Sequence, residues 1–125
     1  MIEVSYGELF DKISILEIKS AQVTDPLKLA NISLELSRLL EVLRIQIQAD
    51  EGIDDLSAQL HQINKALWVV EDQLRDKERD KQFDEAFVEL ARSVYKLNDE
   101  RARLKLELNT RLGSRIVEEK NYRAY

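Results

Sequence analysis

Apolar residues recur at helical spacing along most of the chain. Leu9, Ile13 and Leu16 share one face of a first segment, with Phe10 and Glu17 beside them. A second row runs Leu29, Ile32, Leu36, Leu39, Leu43, Ile47, and Leu34 and Ile45 lie off it. A third, Leu56, Leu60, Ile63, Leu67, Val70, Leu74, steps by four and three without a gap. The fourth is Phe83, Phe87, Leu90, Val94, Leu97, Leu104, Leu108, and Arg101 stands where one apolar rung is due. Each row predicts an amphipathic helix with one buried stripe.

Local chemistry sets the boundaries. Ser5 followed by Glu8 reads as a capping box, and Asp25-Pro26 as an N-cap followed by the first helical position. Gly52 with Asp54 and Asp55 predicts the next turn and cap, and Gly113 a C-terminal stop. The expected helices span about 5–20, 26–49, 55–80 and 83–112, with a tail over 113–125. No repeat or long linker divides the chain, so residues 1–125 read as a single helical domain. Short turns make consecutive helices antiparallel neighbours. The predicted fold is therefore all-α, an antiparallel four-helix bundle whose two long C-terminal helices form a hairpin.

Composition narrows this picture. A chain of 125 residues is long enough to bury roughly two-thirds of its unfolded surface. Without cysteine it has no disulfide, thiolate metal site or cysteine nucleophile. Its start, MIEVSYGELF, lacks the basic and apolar regions of a secretory signal, and its longest apolar run, ALWVV, is far short of the ~20 residues of a membrane span. A cytoplasmic location is the expectation. Nineteen Lys and Arg against 24 Asp and Glu argue against nucleic acid as a partner. The charge is uneven. Residues 1–91 hold 10 basic and 19 acidic side chains, and residues 92–125 hold 9 and 5.

Folding the fourth helix back on the third about residue 82 sets level those residues whose numbers sum to about 164. Arg92 then meets Asp72, Glu89 meets Arg75, and Tyr95 lies near Trp68. Extended through the earlier turns, the same register gives a belt of Glu17, Glu71, Asp72, Arg75 and Arg92. Arg101 falls level with Asn64, His61 and Glu8, one turn from Asn98 and Asp99. Such a belt is read either as interhelical ion pairs that fix register or as a site for a charged ligand. An arginine in a dry core requires a partner, and its five-donor fork suits a carboxylate or a phosphate.

Motifs for chemistry are sparse. Bundle di-metal centres use Glu-x-x-His, and neither that nor Glu-x-x-Glu occurs here. No metal or other cofactor is expected, although Mg²⁺ needs only one or two carboxylates, with Glu71, Asp72 and Asp99 the candidates. No glycine-rich phosphate loop is present, and Ser14, Ser93 and Ser114 have no recognisable His-and-acid setting. His61 reads as a partly exposed helix residue, and Trp68 as a seam filler. The tail, with two tyrosines, Ile116-Val117 and an EEK triplet, is expected to dock on the bundle or on a second subunit.

Several runs resemble a family of short all-helical bacterial proteins of unknown function. They are Trp68-x-x-Glu71-Asp72-x-x-Arg75-x-x-Glu78, Leu90-Ala91-Arg92-Ser93-Val94-Tyr95-x-x-Asn98-Asp99-x-Arg101, SILEIK at 14–19, and the ending Ser114 … Glu118-Glu119-Lys120-x-Tyr122. The resemblance brings no activity, but it singles out the residues of the polar layers. Proteins of that kind tend to be encoded near sugar-transfer and surface-polysaccharide genes.

Three functional expectations follow. The leading one is a non-catalytic binding or accessory protein linked to glycan assembly, acting through a protein partner or self-association. The alternative is a Mg²⁺-dependent enzyme or receptor for a phosphorylated small molecule, a nucleotide or nucleotide-sugar. Arg92, Arg101 and Lys105 would then hold phosphate. The third is a helical mutase similar to chorismate mutase, although the spacing of basic residues in INKALWVVEDQLR and beyond does not match one.

Overall fold

The computed structural model describes residues 5–48 and 50–113. The expected docking of the tail falls outside them. The described residues form four helices, α1 Tyr6–Gln22, α2 Pro26–Gln46, α3 Glu51–Arg79 and α4 Glu85–Leu112, and include no strand. The protein is an all-α helical bundle.

Each helix starts where a short polar side chain satisfies backbone N–H groups that have no partner inside the helix. Ser5 Oγ accepts from the Glu8 N–H at 3.2 Å, and Asp25 Oδ1 from that of Leu27 at 3.0 Å. Asp84 Oδ1 accepts from the Phe87 N–H, also at 3.0 Å. The third helix departs from expectation. Asp50, not Asp54 or Asp55, is its cap, accepting from Gly52 at 2.7 Å and Ile53 at 3.3 Å. The earlier cap starts α3 at Glu51 and places Gly52 in its first turn.

The α3–α4 turn is closed by an unusual residue. Lys81 adopts the left-handed conformation, φ 54°. Its N–H donates to the Glu78 carbonyl, and the Gln82 N–H donates to that of Lys77. These are the two hydrogen bonds of a Schellman stop, at a position where glycine is the usual residue. At the far end of α4, Gly113 fills the same role with φ 65°.

The helices are not equivalent. α1 is central: it touches each of the other three, and eight of its 17 residues are buried. α3 and α4 pair along their length as the expected hairpin, whereas the backbone of α2 approaches that of α1 alone. The core joins Phe10 of α1 to Ile53, Leu56 and Leu60 of α3 and Leu104 and Leu108 of α4. Leu43 and Ile47 close its edge. Lys12 pairs with Glu35 at 2.9 Å across the α1–α2 seam.

Burial on α3 ends at Leu67 and on α4 begins at Leu104. Beyond those points the hairpin projects as an arm, with α3 continuing about 18 Å past Leu67. The rungs of the arm, Val70, Leu74, Phe87, Leu90, Val94 and Leu97, are half-buried in a two-helix seam. Phe83, predicted as the first rung, precedes α4 and is exposed, its ring edge-on to Phe87 at 5.2 Å.

Candidate functional site

The polar centre of the molecule grows from a second row on α1, beside the apolar one. Gly7, Asp11, Ser14 and Ile18 are spaced four, three and four apart, and all four are buried. Gly7 lets α1 lie directly on α4: a Cβ there would come within 2.5 Å of the Lys105 carbonyl oxygen. The Gly7 N–H donates to Asn109 Oδ1 at 2.6 Å. This close approach carries Asp11, one turn on, to Arg101.

Arg101 uses its fork as the geometry of guanidinium predicts. Its Nε donates to Asp11 Oδ1 at 2.9 Å and its Nη2 to Oδ2 at 2.5 Å. The Asp11 side chain is 4% exposed and that of Arg101 28%. Asn64 Nδ2 on α3 donates to the same Asp11 Oδ1 at 3.0 Å and lies 3.1 Å from Ser14 Oγ. Ser14 Oγ in turn lies 2.9 Å from His61 Nδ1. The Ser14 hydroxyl thus joins the Asn64 amide to the His61 ring, with the direction of the Ser14–His61 bond set by the imidazole tautomer. Lys105 flanks the pair, bonded to Glu8 and 3.8 Å from Asp11 Oδ2.

Burial alone would push the Asp11 carboxyl up. The hydrogen bonds from Arg101 and Asn64 and the positive charges of Arg101 and Lys105 outweigh it, holding the pKa below the ordinary carboxylate value. Asp11 is therefore an ionised carboxylate inside the fold, clasped by one arginine and one amide.

The ladder arginine is thus tied to a residue the sequence reading passed over. Of the level expected for Arg101, Asn64 meets the same carboxylate, His61 joins through Ser14, and Glu8 pairs with Lys105 one turn on. Asp11 was missed because it sits among buried positions next to Phe10 and its partner lies 90 residues away. The signal that reveals it is the 7-11-14-18 row. Ser14 also needs correcting, since it does have a histidine and a carboxylate nearby. The order is carboxylate, amide, hydroxyl, imidazole, so the carboxylate does not orient the histidine as in a hydrolytic triad. Ser14 is 4% exposed, which closes its hydroxyl to a substrate.

The predicted belt does not assemble. Arg75 pairs with Asp72 at 3.1 Å and Arg92 with Glu89 at 3.9 Å, each within its own helix. Glu17 and Glu71 are exposed and take part in neither pair. Tyr95 is 53% exposed and makes no ring contact with the half-buried Trp68. Asn98 Oδ1 receives a 3.5 Å bond from Arg101 Nη1, and Asp99 is exposed. On the arm, a carboxylate three residues away on the same helix is nearer to each arginine than one across the seam.

Arg101 and Lys105, the expected phosphate clamps, are both engaged by carboxylates of α1. Among the described residues no group of three His, Asp or Glu is placed to hold a metal ion. Grooves among the described residues include two along the arm and one at the base beside Asp50, Asp54 and Arg111. Neither Arg101 nor Asp99 lines any of the three. Among the described residues no helix is long and apolar enough to cross a membrane.

Residues 1–125 match a family of unknown function, DUF6165, over the whole chain. The chain belongs to that family. Comparison with curated proteins and with solved structures finds no match. As a DUF6165 member the chain bears out the resemblance drawn from its motifs, and membership carries no activity with it.

Proposed function

We propose that this DUF6165 protein is a non-catalytic, cytoplasmic accessory protein that works by binding protein. Its expected setting is beside the enzymes of bacterial surface-polysaccharide or glycan assembly, as the resemblance of its motifs implies. The observation that carries the reading is the state of its charged centre. The Arg101 fork is spent on Asp11, and Asp11 is also held by Asn64. A receptor for phosphate needs that fork open, and a mutase needs its basic groups turned toward a dicarboxylate. Aliphatic surface, in contrast, is left over on α2 and the arm, where Leu27, Leu34, Ile45 and Val69 are each more than half exposed. Aliphatic side chains in such rows suit a protein partner better than a small polar ligand.

Thermal unfolding tests this against the phosphorylated-ligand alternative. The protein is melted with Mg²⁺ or Mn²⁺ and with nucleotides, nucleotide-sugars and sugar phosphates. A ligand at about 100 times its Kd would add roughly 2.7 kcal/mol, a shift of several degrees. The expected result is no shift with any of them. A shift that Arg101→Met abolishes would make the arginine a ligand group and overturn the reading.

A further inference from the structure

α2 is composed for an interior and placed on the outside. Ten of its 21 residues are Leu, Ile or Val, yet none of the 21 is buried. Its inner row is only half-covered by α1 and the core edge. Its outer residues Leu27, Leu34, Leu40, Val42 and Ile45 are between 39% and 73% exposed. A helix apolar on both sides belongs between other elements. The arm has the complementary deficit, two helices with a half-open seam and no other described helix on their flanks.

Charge indicates which surfaces match. Glu35 and Glu41 of α2 are engaged by Lys12 and Arg44, while Lys28 and Arg38 have no ion pair with a described residue. The outer face of α2 is therefore apolar with two unpaired cations. One flank of the arm carries a groove of about 600 Å³ with Ala86 and Leu90 in its lining and Asp76, Asp80 and Glu89 around them. Its ammonium group, Lys77, is held by Asp84 at 3.0 Å. Asp76 is paired with Arg79 and Glu89 with Arg92 on their own helices, while Asp80 has no ion pair with a described residue. The groove is apolar with an open carboxylate where the helix is apolar with open cations.

The geometry points to a second copy of this chain as the occupant: α2 of each copy lies in the arm groove of the other. Area favours this reciprocal arrangement over a contact between two α2 helices. The outer apolar residues of one α2, of which Leu27, Leu34 and Ile45 share a row, compare with the ~300–600 Å² largest patch of an ordinary monomer, below the ~800 Å² per partner of a stable complex. Using row and groove on both copies adds the groove to the helix surface in each contact and closes under two-fold symmetry. Pairing of arm with arm would instead bring two acidic grooves together. The pairing deepens the binding role proposed above, and the two fail separately: a monomeric protein sinks the pairing, and an Arg101-dependent ligand shift sinks the role.

The test is size-exclusion chromatography with light scattering on the full chain across the micromolar range. Wild-type protein is expected at twice the 14.6 kDa chain mass. Leu34→Glu on α2 and Ala86→Arg in the groove should each weaken pairing at least tenfold, with helicity retained because both sites are exposed in the single chain. Ala91→Arg, which lines the groove on the opposite flank, should leave it unchanged. Mixing the Leu34→Glu and Ala86→Arg proteins should recover part of the dimer, since one α2–groove contact is then intact. A monomeric wild type overturns the proposal. So does a dimer that Leu34→Glu breaks and Ala86→Arg does not, or a mixture that stays monomeric.

Discussion

Replacing Arg101 by Met keeps much of the side-chain volume and removes the fork that grips Asp11. The carboxylate is then left 4% exposed, with one amide donor from Asn64 and the Lys105 ammonium 3.8 Å away. Removing one partner of a fully buried ion pair costs about 3–5 kcal/mol, because the remaining charge is desolvated without compensation. Arg101 is 28% exposed and Lys105 offers partial replacement, which lowers the expected cost to about 2–3 kcal/mol. For a domain of this length that is a fall of roughly 6–12 °C in Tm. Urea unfolding followed by far-UV circular dichroism reads it directly, with an unchanged slope if the denatured state is unaffected.

A double-mutant cycle isolates the pair from incidental packing. Asp11→Asn removes the charge and keeps the shape, so in that background Arg101→Met should cost about 1–3 kcal/mol less than in the wild type. Equal costs in the two backgrounds would mean that the two side chains are not coupled. A melt unchanged by Arg101→Met would likewise refute the internal-tie account of this arginine.

Acid denaturation should report the same carboxylate. A depressed folded-state pKa gives stability that is present above the unfolded value of about 4 and is lost as pH falls through the lower folded value. Asp11→Asn should therefore flatten that part of the stability–pH curve in a urea series. Asp50 and Asp84, lowered chiefly by the backbone N–H groups of Gly52 and Phe87, keep the remainder. Gly7→Ala should destabilise by about 1–3 kcal/mol despite alanine's better helix propensity, because its Cβ meets the Lys105 carbonyl and forces α1 off α4. A melt unchanged or raised would show that the helices can part freely. Lys81→Gly should raise stability by about 0.5–1 kcal/mol, the left-handed strain of lysine outweighing the entropy of glycine. A lower Tm would mean that the lysine side chain stabilises the turn by more than its strain costs.

The four helices were legible in the sequence because what makes them is local. Ser5, Asp25 and Asp84 cap groups two or three residues away, and each apolar row recurs within one or two turns. Even α3, whose start moved from Asp54–Asp55 to Asp50, moved by one turn, from one aspartate cap to another. The hairpin register was legible too, since α3 and α4 are joined by a short turn and rise equally, and it put Asn64 and Arg101 on one level. What failed was every inference that needed a choice among partners. Pairing Arg92 with Asp72 and Arg75 with Glu89 was a choice between cross-helix and same-helix partners of equally suitable charge, and exposure on a two-helix arm decided for the nearer ones.

Only the tertiary structure could select Asp11 for Arg101, because that choice depends on Gly7 letting two backbones touch and so on which helix lies against α4. Only it could show that α2, as rich in leucine as any core helix, has no fully buried residue. Periodicity records that a face is apolar. It holds no information on whether the same chain has a surface to cover that face, because coverage depends on where every other helix has gone.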